Sequence, residues 1–170
     1  MFDFMNEKDG DNVIRPIGQK DNADIAAIIR SVLSEFGAAK KGTVYYDPTT
    51  DDLYSMFQTQ QSAYFIAEIK GKVVGGCGIF PTEGLPEGCC ELVKLYLLPE
   101  ARRTGLGKLL IETCFDFAIQ FGYTSMYLES MPELSKAVSL YEKLGFEYLP
   151  ASLGNSQHFG CSIWMLKQLA

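Results

Sequence analysis

The chain has 170 residues, 47% of them hydrophobic, and a net charge of −6, which suits one ordinary domain with a full core and is too apolar for a disordered segment. An isoelectric point near 4.8 argues against a general nucleic-acid surface. No window stays apolar for the roughly 18 residues a membrane span requires, and the start lacks the basic, apolar and small-residue order of a secretory signal, so a cytoplasmic protein is expected. Five cysteines without a Cys-x-x-Cys spacing, beside a single histidine, speak for reduced, buried thiols and against a zinc cluster; no metal is expected.

In chain order, residues 1–11 read as a frayed lead-in. Residues 13–17 form a first strand, which Pro16 confines to a sheet edge. Asp21 is placed to N-cap a helix through Phe36, with Ile25, Ile28, Ile29, Val32 and Phe36 on its apolar stripe. A long connection covers residues 37–50, and a shorter helix follows from Asp51, using Leu53, Tyr54 and Phe57. Ala63–Ile69 and Lys72–Phe80 read as a hairpin around Lys70-Gly71, and residues 81–88 as a loop.

Residues 91–98 alternate, with Glu91, Val93, Leu95 and Leu97 on one face and Leu92, Lys94, Tyr96 and Leu98 on the other, until Pro99 ends the strand. Leu106, Leu110, Thr113, Cys114, Phe117 and Phe121 recur at helical spacing, and Gly122 stands as a C-terminal cap. A strand over residues 123–129 follows, then a short helix from Ser135 closed by Gly145, and strands over Glu147–Leu149 and residues 159–167. The order is strand, two helices, three strands, helix, strand, helix, two strands. Without linker, repeat or low-complexity block, a single domain is expected.

The loop between Pro99 and the following helix carries the most chemistry. Arg102-Arg103-Thr104-Gly105-Leu106-Gly107-Lys108 offers free backbone N–H groups, basic side chains and the positive end of a helix dipole, the ingredients of a phosphate cradle. Leu109 stands where a P-loop needs Ser or Thr, and Leu110 where a dinucleotide fingerprint needs its third glycine. What remains is Arg102-x-x-Gly105-x-Gly107. Downstream lies Leu140-Tyr141-Glu142-Lys143-Leu144-Gly145-Phe146. The first pattern resembles the pyrophosphate-binding motif of the GNAT superfamily of N-acetyltransferases, Arg/Gln-x-x-Gly-x-Gly/Ala, and the second resembles that family's later signature, in the right order and with one helix and one strand between them.

The resemblance implies a mixed α/β fold, a central, mostly antiparallel, twisted sheet with a splayed strand pair flanked by helices. It implies acetyl-CoA as the acetyl donor and a primary amine as the acceptor, in direct transfer through a ternary complex. Residues 102–108 would hold the pyrophosphate: Arg102, Arg103, Thr104, Gly105, Leu106, Gly107 and Lys108. The backbone at Leu95, Tyr96 and Leu97, opened by a bulge, would pair with the pantetheine arm. A bulge there would also disturb the faces given by simple alternation. Tyr141 would give a proton to the departing thiolate and Glu91 would take one from the amine. Spacing alone leaves Tyr141 a core aromatic, Glu91 equally an exposed strand-end charge, and Arg102, Arg103 and Lys108 ordinary surface cations. Glu129 stands in reserve as base, and His158 reads as structural, with the acceptor site as its other place. Cys161 has no His at a readable spacing, so a Cys nucleophile is not supported.

Many relatives carry an Asn three residues before the helix Ala; here that offset before Ala137 holds Leu134. A non-catalytic domain that binds acyl-CoA is the alternative function, and it would need neither Tyr141 nor Glu91. Residues 31–54 and 80–90 are expected to shape the acceptor pocket, and a homodimer is compatible with the resemblance.

Overall fold

The structure is a computed structural model that describes residues 11–169, so all but the last residue of the lead-in expected over 1–11 lies outside the described residues. Seven strands form one sheet in the order β1-β2-β3-β4-β5-β7-β6: β1 Asn12–Pro16, β2 Ala63–Ile69, β3 Lys72–Phe80, β4 Cys89–Leu97, β5 Ser125–Ser130, β6 Glu147–Leu149 and β7 Ile163–Gln168. The helices are α1 Asn22–Glu35, the single turn α2 Leu53–Met56, α3 Leu106–Gln120 and α4 Ser135–Lys143. Every neighbouring pair of strands is antiparallel except β4 and β5. The mixed, mostly antiparallel sheet flanked by helices is therefore the architecture expected.

Alternation along the strands sorts the core into two layers. In β2, Phe65 and Ala67 pack with α3 and α4 residues such as Leu110, Cys114 and Tyr141, whereas Tyr64 and Ile66 pack with Ile25, Ile29 and Leu33 of α1. The β2–β3 turn is built as the dipeptide Lys70-Gly71 dictates. Both residues have positive φ, 51° and 78°, the requirement of a two-residue hairpin turn that follows the strand twist. Pro16 lies on the edge strand, where its missing N–H costs no ladder bond.

Four local expectations need correction. Asp21 precedes α1 without capping it; its carboxylate accepts from both Arg15 terminal nitrogens (2.7 and 2.8 Å) and from the Gly18 N–H (2.7 Å). A buried ion pair uses the acceptor that a cap would need. The connection over residues 37–50 is partly 3₁₀, at Val44–Tyr46 and from Pro48 onward. The last strand starts at Ile163 rather than 159, because residues 155–160 fold back as a loop against residues 42–47.

The fourth correction is to β4. Leu92 packs in the α3 layer and Val93 in the α1 layer, but Leu95 and Leu97 are in the α3 layer with Tyr96 and Leu98 opposite. The alternation slips by one at Lys94, whose φ is +54° and where pairing with β3 jumps from Val93–Gly78 to Tyr96–Gly76. Glu91 therefore shares a face with Val93 and Tyr96, not with Leu95 and Leu97. The bulge is held from below: the buried Tyr64 hydroxyl donates to the Lys94 carbonyl at 2.8 Å. Its ring lies across β3 where Gly76 and Gly78 make room, since a Cβ at either would come within 2.5 or 2.6 Å of it.

Candidate active site

β4 and β5 pair over only three rungs, Cys89–Ser125, Cys90–Met126 and Glu91–Tyr127. Beyond Glu91, β4 stays with β3 as far as Leu97, while β5 stays with β7 through Ser130. The two strands splay, leaving the β5-facing edge of β4 without a ladder partner from Leu92 onward. A cleft of about 730 Å³ occupies the gap. It runs from Arg103, Gly105, Gly107 and Lys108 past Leu95, Tyr96, Leu97 and Tyr141 to Glu91, Glu129 and His158.

At the loop end, Gly105 turns the chain into α3 with φ +86° and Arg103 precedes it with φ +60°; glycine adopts this conformation without strain. Among the described residues, the N–H groups of Arg103, Thr104, Gly105, Gly107 and Lys108 have no hydrogen-bond partner in the protein. Five free donors at a helix N-terminus fit an anion. Nothing lies within 4 Å of where a Gly105 Cβ would sit, so the cradle is open to the cleft. Thr104 and Leu106 do not line the cleft. The Thr104 hydroxyl donates to the Ala101 carbonyl (2.6 Å) and accepts from the Leu106 N–H (3.4 Å), and Leu106 is core. Arg102 lines the cleft with its guanidinium already engaged: its terminal nitrogens grip the Glu35 carboxylate at 2.8 and 2.7 Å, Nε donates to the Leu97 carbonyl at 3.1 Å, and the guanidinium stacks 4.9 Å above Phe36. It ties the end of α1 to the loop. The exposed cations on the cleft are Arg103 and Lys108, joined by Lys136 and Lys143 of α4, which motif reading missed.

At the other end sits a compact polar group. Glu91 is 3% exposed, which rules out the strand-end surface charge. Burial pushes its carboxyl up to about 7, the Thr82 hydroxyl that it accepts from pulls the other way, and Glu129 adds to the rise. Glu129 accepts from the Tyr127 hydroxyl at 2.9 Å and from Ser156. The His158 Nε2 stands 2.9 Å from Asp47 Oδ2, and one ring or carboxylate atom each of His158, Glu91 and Glu129 lie within 4.8 Å of one another. The lone histidine, expected to be structural, stands in this polar group with Asp47 as its partner. Lys94 sends its ammonium, with a side chain 1% exposed, to the same Asp47 at 3.4 Å. Burial works against the Asp47 charge, but the His158 ring, Lys94 and Thr49 outweigh it and hold the carboxyl well below its ordinary range. Burial lowers Lys94 in turn. Asp47 and Lys94 carried no motif, and only the fold brings them together.

Tyr141 lies between the two ends. Its ring packs edge-on against Phe146 at 5.9 Å, and its hydroxyl forms no hydrogen bond with a described residue. Burial raises the phenol well above 10, so it keeps its proton throughout the neutral range. Burial likewise pushes the Cys161 thiol up to about 12, the wrong direction for a nucleophile. No described helix is long and apolar enough to cross a membrane.

A splayed parallel pair, a cradle of free N–H groups at a helix start and a buried carboxylate define an acyl-transfer fold, and comparison gives the family. The model of the acetyltransferase (GNAT) family matches residues 27–146, and the chain belongs to that family. It is 40% identical over 158 residues to the uncharacterised N-acetyltransferase YjgM of Escherichia coli (strain K12), covering 92% of this chain and 95% of that one. Human N-acetyltransferase 8 is 33% identical over 119 residues, which span 66% of this chain and 52% of that protein. Among solved structures, a GNAT acetyltransferase from Staphylococcus aureus Mu50 superposes with TM-score 0.80 at 16% identity, over 94% of this chain and 99% of that one. YncA of Salmonella typhimurium, solved with its cofactor acetyl-CoA, superposes with TM-score 0.73 at 19% identity, over 95% of each chain.

Proposed function

We propose that the chain is an N-acetyltransferase that moves the acetyl group of acetyl-CoA to a primary amine by direct attack in a ternary complex. The observation that carries this is the splay of β4 from β5, which joins a five-donor anion cradle to a buried carboxylate through one continuous cleft. YncA, which shares the fold, is solved with acetyl-CoA. Bound there, the cosubstrate supplies an acetyl thioester.

The chain's own residues divide the work as follows. The free N–H groups of residues 103–108 hold the pyrophosphate, with Arg103 and Lys108 adding charge-assisted contacts; Arg102 orders the loop through Glu35. The unpaired edge of β4 at Leu95, Tyr96 and Leu97 offers backbone groups to an amide-bearing arm. Glu91 takes the proton that the amine sheds as its C–N bond forms. A carboxyl with pKa near the working pH suits that task. Tyr141, protonated and with no hydrogen-bond partner for its hydroxyl among the described residues, gives a proton to the sulfur as the C–S bond breaks.

Calorimetric titration with acetyl-CoA tests the cofactor half. Gly105→Asp is the control, since Asp tolerates positive φ better than most residues and sets a carboxylate in the phosphate cradle. Binding by the parent chain that is lost in a still-folded variant supports the assignment; no binding by the parent chain refutes it. Binding without transfer to any amine would leave the non-catalytic acyl-CoA-binding domain as the better reading.

A further inference from the structure

We propose that the acceptor is a small primary amine whose nitrogen is carried on an apolar, ring-sized body with no carboxylate beside it. The proposal rests on the acetyl-transfer reading above and names the substrate that reading leaves open.

A second cavity, of about 590 Å³, meets the first at Glu91, Val93, Lys94 and His158. Its volume falls in the range of small-molecule sites. Away from that junction its lining combines Met56, Phe80, Pro48 and the rings of Tyr46 and Phe159, on the rim, with polar residues that include Glu83 and Gln157. Tyr46 is 60% exposed and Phe159 81%, two of the four large hydrophobic residues so exposed among those described, and both border this one cavity. Large rings left in water beside a cavity mark a surface that gains by being covered.

The rim is formed by two loops held together. The Gly160 N–H donates to the Gly42 carbonyl at 2.9 Å, and the Phe159 ring lies so close over Gly42 that a Cβ there would come within 2.5 Å of it. A ring-sized molecule is the occupant that such a rim suits.

Charge decides the head group. Asp47, Glu91 and Glu129 surround the junction. The nearby cation, Lys94, is 1% exposed at its side chain and already bonded to Asp47, so its charge is not presented to a ligand. An ammonium is drawn to Glu91 and Glu129 at this end, and a carboxylate on the adjacent carbon would face those two acidic groups, since Asp47 and Lys94 are already paired with each other. An acceptor with several charges, such as a polyamine or aminoglycoside, would find one further carboxylate on this cavity, Glu83, and would set its remaining charges beside Met56 and Phe80, at the cost of desolvating them.

The test is steady-state acetylation at saturating acetyl-CoA of 2-phenylethylamine, phenylalanine, spermidine, kanamycin and a short N-blocked lysine peptide, with acetyl-CoA affinity measured separately by calorimetry. The expected result is kcat/KM for 2-phenylethylamine at least about tenfold above each of the others, a gap of roughly 1.4 kcal/mol. Phe159→Ala, at a position 81% exposed, should cut that kcat/KM about tenfold, in line with losing part of one aromatic contact, and leave acetyl-CoA affinity unchanged. Turnover that favours phenylalanine, spermidine, kanamycin or the peptide overturns the acceptor class while the acetyltransferase reading stands. Intact acetyl-CoA binding with no turnover of 2-phenylethylamine also overturns the acceptor class. Failure to bind acetyl-CoA overturns the reading beneath it.

Discussion

Replacing Glu91 by Gln separates catalysis from stability, because the two should move in opposite directions. The carboxyl is buried and its pKa stands at about 7, against an ordinary 4.5. A rise of that size corresponds to roughly 3 kcal/mol of penalty on the charged form. Between those two pH values the folded chain binds a proton that the unfolded chain does not, so stability falls as pH rises through the window. Gln keeps an acceptor for the Thr82 hydroxyl and removes the charge. At pH 8.5, Glu91→Gln should therefore be more stable than the parent by about 1–3 kcal/mol, or roughly 3–10 °C in Tm for a chain of this size. At pH 4, below both values, where Glu91 is protonated in the folded chain and largely so in the unfolded one, the gap should close. Activity should go the other way: kcat should fall by about 10²–10⁴, the usual value of a positioned base, and the ascending limb of the kcat/KM profile near pH 7 should disappear. Differential scanning calorimetry at the two pH values and a pH–rate series on both proteins check this. A variant that keeps both kcat and the limb near pH 7 would refute Glu91 as the base, and a Tm gap independent of pH would refute the buried charge.

Tyr141→Phe should lower kcat by about 10- to 1000-fold, within reach of what acid catalysis contributes, without changing Tm or acetyl-CoA affinity, since the hydroxyl bonds to no described residue; unchanged turnover would remove Tyr141 from the mechanism. Tyr64→Phe leaves the Lys94 carbonyl without its buried donor and should cost about 1–3 kcal/mol in chemical denaturation, together with a fall in kcat as the bulge loosens. Asp47→Asn should lose roughly 2 kcal/mol at pH 7, the scale of hydrogen bonds to a charged group. Because Asp47 titrates below its ordinary 3.8 in the folded chain, the loss should shrink as pH falls through and below that value. A loss that is constant with pH would mean that the His158 and Lys94 contacts do not depend on the Asp47 charge.

The cofactor side of the site was legible in the sequence because it is local. Gly105 and Gly107 lie within one turn of the helix whose N–H groups they free, and Leu140 to Phe146 is a single helical segment with its own glycine cap. Short-range rules on glycine, helix starts and apolar spacing reach that far. The β4 face assignment failed for a reason that no local rule contains. The slip at Lys94 is fixed by a tyrosine thirty residues earlier and by two glycines on the strand between them, Gly76 and Gly78. In sequence those glycines look like weak points of a strand; in the fold they are the room in which the Tyr64 ring lies.

The acceptor side was legible only in part, and the cause is again distance along the chain. Residues 42–49 fell within the expected stretch, yet the other wall comes from residues 155–159, more than a hundred positions later, in a loop of which Phe159 alone was read as the start of a strand. Asp47 and His158 are 111 residues apart and meet at 2.9 Å; neither has a neighbour in sequence that announces the pair. Lys94 was the signal that could have been heard. A lysine in the middle of a largely apolar strand must either turn to water or find a carboxylate, because an unpaired buried ammonium is too costly to keep. Here the bulge turns it inward and Asp47 meets it. The same bulge thus lies where β4 runs unpaired along the cleft and buries the charge that meets Asp47 beside His158, so a substitution that straightens β4 should damage both cavities at once.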